Sequence, residues 1–205
     1  MLTGDMLRRA AERFPDKSAI IWEGRHTSYA DLNADANRFA HALAGLGLKK
    51  GEKVGIISRN RTEYGIVFFG AAKSGCVLVN VSVLYAPDEL QYVLNKADVQ
   101  ALIYEDLFAD KIEAVKPLCP KIETYIPIGQ PFNDFIAGHS AGEPDVEIDE
   151  RDPFSMTYTG GTTGLPKGVL ASHRARAVTA HTVMVEEKID ERDIVGIVTP
   201  LFHIA

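Results

Sequence analysis

Gly160, Gly161 and Gly164 fall within a span of five residues, interleaved with Thr159, Thr162 and Thr163, and Lys167 follows three positions later. Glycine permits positive φ angles and close approach of backbone to a ligand, and successive exposed amides form an anion-binding concavity. The threonine hydroxyls add donors, and Lys167 adds a mobile positive charge. Pro166 restricts how the loop can collapse. The run Tyr158 to Val169, YTGGTTGLPKGV, therefore reads as a loop that cradles a polyphosphate. A surface turn with a chance lysine would not call for three glycines and three threonines in this order. The Walker pattern fails, because Leu165-Pro166 separates Gly164 from Lys167 where Gly-Lys-Ser/Thr is required. The dinucleotide pattern GxGxxG fails too, since Gly161 and Gly164 lack the earlier glycine.

Such a loop needs a rigid support. Phe154 to Thr159 reads as a strand entering it, Ser172 to about Lys188 as a helix leaving it, and Ile194 to Val198 as a further apolar strand ending at Pro200. Upstream, Ser18 to Ile21 and His26 to Tyr29 form a hairpin pattern turning at Gly24. Leu32, Ala36, Phe39, Ala40, Leu43 and Ala44 recur at helical spacing, with Ser28 as cap and Gly47 as stop. Extended patterns at Val54 to Ser58, Val77 to Val81, Ala101 to Tyr104 and Thr124 to Ile128 then alternate with helical ones. The helices are Glu63 to Ala72, a segment opening at Pro87-Asp88-Glu89-Leu90, Phe108 to Lys116 and Phe132 to Ala137. This alternation predicts an α/β fold with a largely parallel sheet and flanking helices. Gly138 to Asp152 is polar, acidic and turn-rich. It divides the chain into a first α/β subdomain (1–137), a connector (138–152) and a phosphate-loop segment (153–205).

Composition removes several function classes. At 205 residues with 46% hydrophobic and 24% charged residues, the chain can bury a substantial core, which excludes disorder. A net charge of -6 without a basic stripe argues against nucleic acid as a partner. Cys76 and Cys119 are far apart with no Cys/His cluster, so neither zinc nor a disulfide framework is indicated, and a cytoplasmic location suits them. The first residues lack a signal-peptide core, and no apolar run approaches the ~20 residues of a membrane span. His26, His41, His139 and His181 lack ligand spacing, and the connector and Glu186-Glu187 read as solvated charge.

YTGGTTGLPKGV resembles the signature loop of the adenylate-forming enzymes: acyl-CoA synthetases, aryl-CoA ligases, firefly-type luciferases and peptide-synthetase adenylation domains. Their usual form has Ser where Gly160 stands, and the Gly-Gly version is similar to some bacterial fatty-acyl-CoA ligases. The resemblance extends over nearly the whole chain. It takes in Phe14-Pro15-Asp16-Lys17-Ser18-Ala19, Tyr29-Ala30-Asp31-Leu32-Asn33, Gly45-Leu46-Gly47 with Lys50-Gly51-Glu52-Lys53-Val54, Asn60 to Glu63, Ala71 to Cys76 and Pro87 to Leu90. Downstream, Thr199-Pro200-Leu201-Phe202-His203 resembles the family's next motif, whose His or aromatic residue lines the acid pocket.

The resemblance implies that a carboxylic acid attacks the α-phosphate of Mg-ATP to give an acyl-adenylate and pyrophosphate, after which a thiol, coenzyme A by expectation, takes the acyl group. It implies Lys167 as the catalytic charge on the β- and γ-phosphates, with Tyr158, Gly160, Gly161, Gly164, Leu165, Pro166, Gly168 and Val169 completing the ATP loop. Thr162 and Thr163 would contact phosphate, Thr159 Mg²⁺, and His203 the substrate acid. From the residue alone, a histidine in an apolar segment is more often a hydrogen-bonded core residue, and it is the matching Pro200-Leu201-Phe202 before it that favours the pocket for His203; His173 reads as structural, tying the start of its helix. A fatty acid is expected, with an aromatic acid as the alternative. The family's adenine-pocket segment, acidic Mg²⁺ residue, ribose-holding aspartate and C-terminal lid with its lysine would lie beyond Ala205. The chain is thus expected to be a truncated front part that does not complete adenylation alone. Two other readings remain beside this one: a binding module for ATP or pyrophosphate without catalysis, and a structural fragment that self-associates through an exposed sheet edge.

Overall fold

In the computed structural model, which describes residues 1–161 and 164–203, the chain opens with a helix absent from the sequence expectations. Helix α1 (Thr3–Arg13) buries Thr3, Gly4 and Leu7. Asp5, Arg8 and Glu12 pair along its outer face at 3.3 and 2.7 Å, and this i,i+3 and i,i+4 spacing was the readable signal. Strands β1 (Ser18–Trp22) and β2 (Arg25–Ser28) form the expected antiparallel hairpin. Its turn takes positive φ at Glu23 and Gly24 (49° and 74°), the geometry that matches strand twist in two-residue hairpins. Helix α2 (Tyr29–Gly45) starts where predicted, because the Ser28 hydroxyl accepts the Asp31 N–H at 3.0 Å.

Strict alternation follows: β3 (Lys53–Ile57), α3 (Thr62–Ser74), β4 (Val77–Asn80), α4 (Pro87–Lys96), β5 (Val99–Tyr104), α5 (Ala109–Val115), β6 (Thr124–Pro127) and α6 (Gln130–Ala137). After the connector come β7 (Pro153–Gly161), β8 (Gly164–Ser172) and α7 (His173–Glu186). The six-stranded sheet has the order β6-β5-β3-β4-β7-β8. Its strands are parallel except for β8, which runs antiparallel to β7.

The chain steps from β3 to β4, reverses to β5, continues to β6, and returns to β7 beside β4. Right-handed crossovers then place α3 and α6 on one face and α4 and α5 on the other. The two cores follow this division. One packs Phe39, Leu43, Val67, Ala71, Phe132 and Ile136 on Val54, Ile56, Ile103 and Phe154. The other packs Leu90, Val93, Leu94, Ile112 and Val115 on Ile57, Val79 and Leu102.

The connector corrects one expectation. It has no helix or strand, but its charge is not simply solvated. The Lys73 ammonium, with its side chain 4% exposed, lies 2.7 Å from Glu143 and also donates to Asn33 and Asn37. Asp152 pairs with Lys50 at 2.6 Å, and Glu150 pairs with the N-terminal amine at 2.7 Å. A buried ammonium requires a counter-charge. Burial pulls the Lys73 pKa below the ordinary lysine value, and Glu143 opposes that shift.

The expected strand Ile194 to Val198 does not form. These residues lie in neither helix nor strand, and Ile194 and Val198 are 81% and 94% exposed. An apolar run becomes a strand only with a ladder partner, and among the described residues the sheet ends on this side at β8.

Candidate functional site

The carboxyl ends of β3, β4, β5 and β7 share one edge of the sheet, since all four run parallel. From β4 the chain leaves towards α4 on one face. From β7 it passes through β8 to α7, whose Arg176 reaches back to β7 from the side of α3. Adjacent strands whose chains part to opposite faces leave a crevice at their carboxyl ends. The glycine-threonine run sits at that edge.

The run is a hairpin rather than a free loop, which corrects the sequence expectation. Tyr158, Thr159, Gly160 and Gly161 end β7, and Gly164, Leu165, Pro166, Lys167, Gly168 and Val169 begin β8. Thr162 and Thr163 lie outside the described residues. The register pairs Tyr158 with Gly168, Thr159 with Lys167, and Gly161 with Gly164. Tyrosine, threonine and valine favour the pleated ribbon, and Pro166 is tolerated because β8 is an edge strand.

Tyr158 is buried in the second core, where its ring lies over Gly168. A Cβ at Gly168 would stand 3.1 Å from the Tyr158 ring and 3.2 Å from Met156 Sδ, so glycine is needed there for close packing. Tyr85 Oη donates to the Tyr158 carbonyl at 3.4 Å, and Lys111 Nζ holds the Val83 and Tyr85 carbonyls at 3.1 and 2.7 Å. The loop after β4 is thereby fixed against the hairpin. On the opposite face Tyr64 Oη donates to Asn80 Oδ1 at 2.7 Å, and Asn80 Nδ2 donates to Thr157 Oγ1 at 3.3 Å. Arg176 donates to Ser155 Oγ from Nε and Nη2 at 3.2 and 3.1 Å. Two layers of buried polar contacts thus brace the strand that carries the motif. Sequence reasoning did not find these residues, because each contact is distant along the chain.

Lys167 is exposed and makes no ion pair among the described residues. Thr159 is exposed as well, and among the described residues its hydroxyl has only a long 3.5 Å contact to the Lys167 carbonyl. Both functional groups are therefore open to a ligand. His173 is buried at the first turn of α7, accepts the Thr3 N–H on Nδ1 at 3.3 Å and stacks 5.1 Å from Phe154. Burial pushes its pKa down to about 4, so it is a neutral structural ring, as its sequence position suggested.

His203 ends a short 3₁₀ turn, Leu201–His203, that lies against β4. Its ring is exposed, whereas Phe202 is buried beside it at 4.5 Å between centroids. The turn thus lies against the same sheet as the motif hairpin. Among the described residues no group of three or more His, Cys, Asp or Glu side chains could hold a metal ion, and no helix is long and apolar enough to cross a membrane.

The family model for AMP-binding enzymes matches residues 7–205. The chain is 37% identical over 180 residues to the medium/long-chain-fatty-acid–CoA/3-oxocholest-4-en-26-oate–CoA ligase of Mycobacterium tuberculosis, covering 82% of this chain and 33% of that protein. It is 35% identical over 199 residues to the fatty acid–[acyl-carrier-protein] ligase ScoC of Streptomyces coeruleorubidus, covering 95% of this chain and 38% of that one. Its fold is similar to the crystal structure of the anthranilate CoA ligase AuaEII in complex with anthranoyl-AMP, with a TM-score of 0.85 and 29% identity over 88% of this chain and 36% of that one. The chain spans about a third of the length of the curated relatives it matches.

Proposed function

Because the chain belongs to the AMP-binding enzyme family, we propose that it is the phosphate-binding front part of an enzyme that activates a carboxylic acid with ATP and passes the acyl group to a thiol. The observation that carries this reading is the pairing of Thr159 with Lys167 across a glycine hairpin at the carboxyl edge of the sheet. A lysine that is exposed and without an ion pair among the described residues, aligned with an exposed hydroxyl, suits the β- and γ-phosphates of a nucleotide. The divisions 1–137, 138–152 and 153–205 are part of the same proposal.

In the proposed reaction the acid's carboxylate oxygen attacks the α-phosphorus, forming the acyl-adenylate and releasing pyrophosphate. A thiol then attacks the acyl carbon and AMP leaves. Lys167 and the hairpin amides, with Thr162 and Thr163, hold the negative charge that grows on the departing pyrophosphate, where fixed donors contribute most. Tyr158, Gly160, Gly161, Gly164, Leu165, Pro166, Gly168 and Val169 form the rest of the cradle. Thr159 would be the chain's own contact to Mg²⁺, its exposed hydroxyl being an oxygen donor of the kind that ion takes. Bound there, Mg²⁺ would neutralise phosphate charge.

A fatty acid is the proposed substrate and coenzyme A the proposed thiol. The fatty-acid ligases among the relatives support the first, and their names include both CoA and carrier-protein acceptors. The anthranilate ligase keeps an aromatic acid as the alternative. His203, exposed on the turn against β4, is the proposed acid-facing residue, and a cytoplasmic setting is proposed with it.

Calorimetric titration with Mg-ATP and with pyrophosphate, wild type beside Lys167→Ala, tests the reading. Binding that the substitution weakens by about tenfold or more supports a working phosphate site; binding that Lys167→Ala leaves unchanged defeats it. A second reading, self-association, is favoured by the exposed Leu165, Val169 and Leu170 on the edge strand β8. Sedimentation over a hundredfold range of concentration distinguishes it, since a self-associating chain gains mass and a monomer does not.

A further inference from the structure

Among the described residues, the segment 194–203 has no sheet partner, yet the turn at its end is held in place. Among the described residues, two hydrogen bonds join this segment to the rest of the protein, and both end on one side chain. Asn60 Nδ2 donates to the Thr199 carbonyl at 2.9 Å, and the Leu201 N–H donates to Asn60 Oδ1 at 2.8 Å. A backbone carbonyl only accepts and a backbone N–H only donates, so the orientation of the carboxamide is fixed by its partners. The two contacts bracket Pro200, and two points on the backbone set its rotation as well as its depth.

Asn60 is itself tightly placed. It follows β3, and Glu105, only 3% exposed, follows β5. The Arg59 N–H donates to Glu105 at 3.0 Å, and the Arg59 guanidinium pairs with the same carboxylate at 2.5 Å. Arg61 approaches Glu105 at 3.7 Å, bonds Glu63 at 3.2 Å, and lies 5.0 Å over the Trp22 ring. With Arg59 held on Glu105 and Arg61 on Glu63 beside it, the Asn60 side chain is presented over the carboxyl edge of the sheet.

Leu201 packs against the first core and Phe202 is buried. These side chains anchor the turn, but apolar contact is not directional. Only the carboxamide supplies direction.

We infer that Asn60 is a positioning residue for His203: its bidentate grip on residues 199 and 201 sets where the exposed imidazole stands at the sheet edge. The inference rests on the proposed reading of His203 as the acid-facing residue, and it concerns Asn60, whose carboxamide is engaged by Thr199 and Leu201.

The test uses the isotope-labelled chain with NMR-detected hydrogen exchange at the Leu201 amide, taking the Ile56 and Ile103 amides as core references. The His203 ring resonances are followed during titration with octanoate. In Asn60→Ala, Leu201 exchanges about tenfold faster or more, as expected for loss of a structural hydrogen bond, while the core amides are unchanged. The His203 ring resonances shift in the same variant. Asn60→Asp, which keeps the acceptor for Leu201 but loses the donor to Thr199, retains part of the protection. Unchanged Leu201 exchange in Asn60→Ala overturns the inference. So does an equal acceleration at Ile56 and Ile103, which would make Asn60 a general stability residue. If Leu201 behaves as expected but the His203 ring ignores octanoate, the positioning role stands and the acid-facing reading of His203 fails.

Discussion

Val54-Gly55-Ile56-Ile57 and Val195-Gly196-Ile197-Val198 are nearly the same tetrapeptide, and they end in opposite conditions. The first is the heart of β3, hydrogen-bonded to β4 on one side and β5 on the other, with Val54, Ile56 and Ile57 at 0% exposure. Even its glycine is enclosed, since a Cβ at Gly55 would meet Leu102 at 2.9 Å. The second is coil, and a Cβ at Gly196 would meet nothing within 4 Å. β-branched residues fit a pleated, half-buried surface without creating one. What makes the strand is the presence of neighbours, and the candidate site lies along the seam between the part of the chain that has them and the part that does not.

The sharpest way to break the comparison is a matched pair of truncations. Ile56→Ala should cost about 4 kcal/mol in urea unfolding, because the buried side chain leaves a cavity in the first core. Ile197→Ala should change stability by less than about 0.5 kcal/mol. A cost above about 1 kcal/mol at Ile197, growing with protein concentration, would mean that a second copy covers the segment.

His173 marks the point where α7 enters the buried part, and its prediction concerns pH. The folded ring stays neutral down to about pH 4, while the unfolded chain takes up a proton near the ordinary histidine value of 6.5. Its stabilising contribution is therefore complete above pH 6.5 and is lost as pH falls towards 4, by about 3 kcal/mol across that window. Carboxylates titrate lower in the same range, so the measurement is the difference between wild type and His173→Phe, which keeps the stack on Phe154. A difference that stays flat from pH 7 to pH 4 would place the ring in contact with water.

The connector predicts a smaller effect. Glu143→Ala leaves the Lys73 ammonium hydrogen-bonded to Asn33 and Asn37 among the described residues, with the charge of Asp5 nearby, and should cost about 2 kcal/mol, below the range for a fully isolated buried charge. Residues 138–152 should then be cut faster by protease, while Glu147→Ala, whose contact to Lys50 is through its backbone carbonyl, should leave the cleavage rate unchanged.

What could be read in the chain divides along the same seam. Helix α2 was legible from Ser28 and the spacing of Leu32, Ala36, Phe39 and Leu43 because capping and amphipathic burial are local. The alternation of β3 to α6 was legible for the same reason. The motif's residue types signalled a phosphate site, but glycine-rich sequence does not distinguish a free loop from a hairpin held by register. Ile194 to Val198 was misread because its composition is that of β3 and its missing partner is not a local property. Lys73 with Glu143, and Asn60 with Leu201, join residues 70 and 141 positions apart. No periodicity reports such pairs.

The smallest predicted effect tests the joint itself. Gly168 is on the exposed edge strand, while its cross-strand neighbour Tyr158 belongs to the second core. Gly168→Ala sets two changes against each other. Alanine restricts the unfolded chain more than glycine does, which favours folding by a few tenths of a kcal/mol up to about 1. The new Cβ presses on the Tyr158 ring at 3.1 Å and on Met156 Sδ at 3.2 Å, and the ring is backed by packed side chains, so relief requires moving the core face of β7. The balance should be a net cost of about 0.5 to 1 kcal/mol. Tyr158→Leu beside Gly168→Ala should remove that pressure, making the double variant less destabilised than the sum of the singles, as coupled neighbours require. Strict additivity would mean that β8 and its lysine are not seated by the core, and the aligned pair Thr159 and Lys167 would then lose its rigid support.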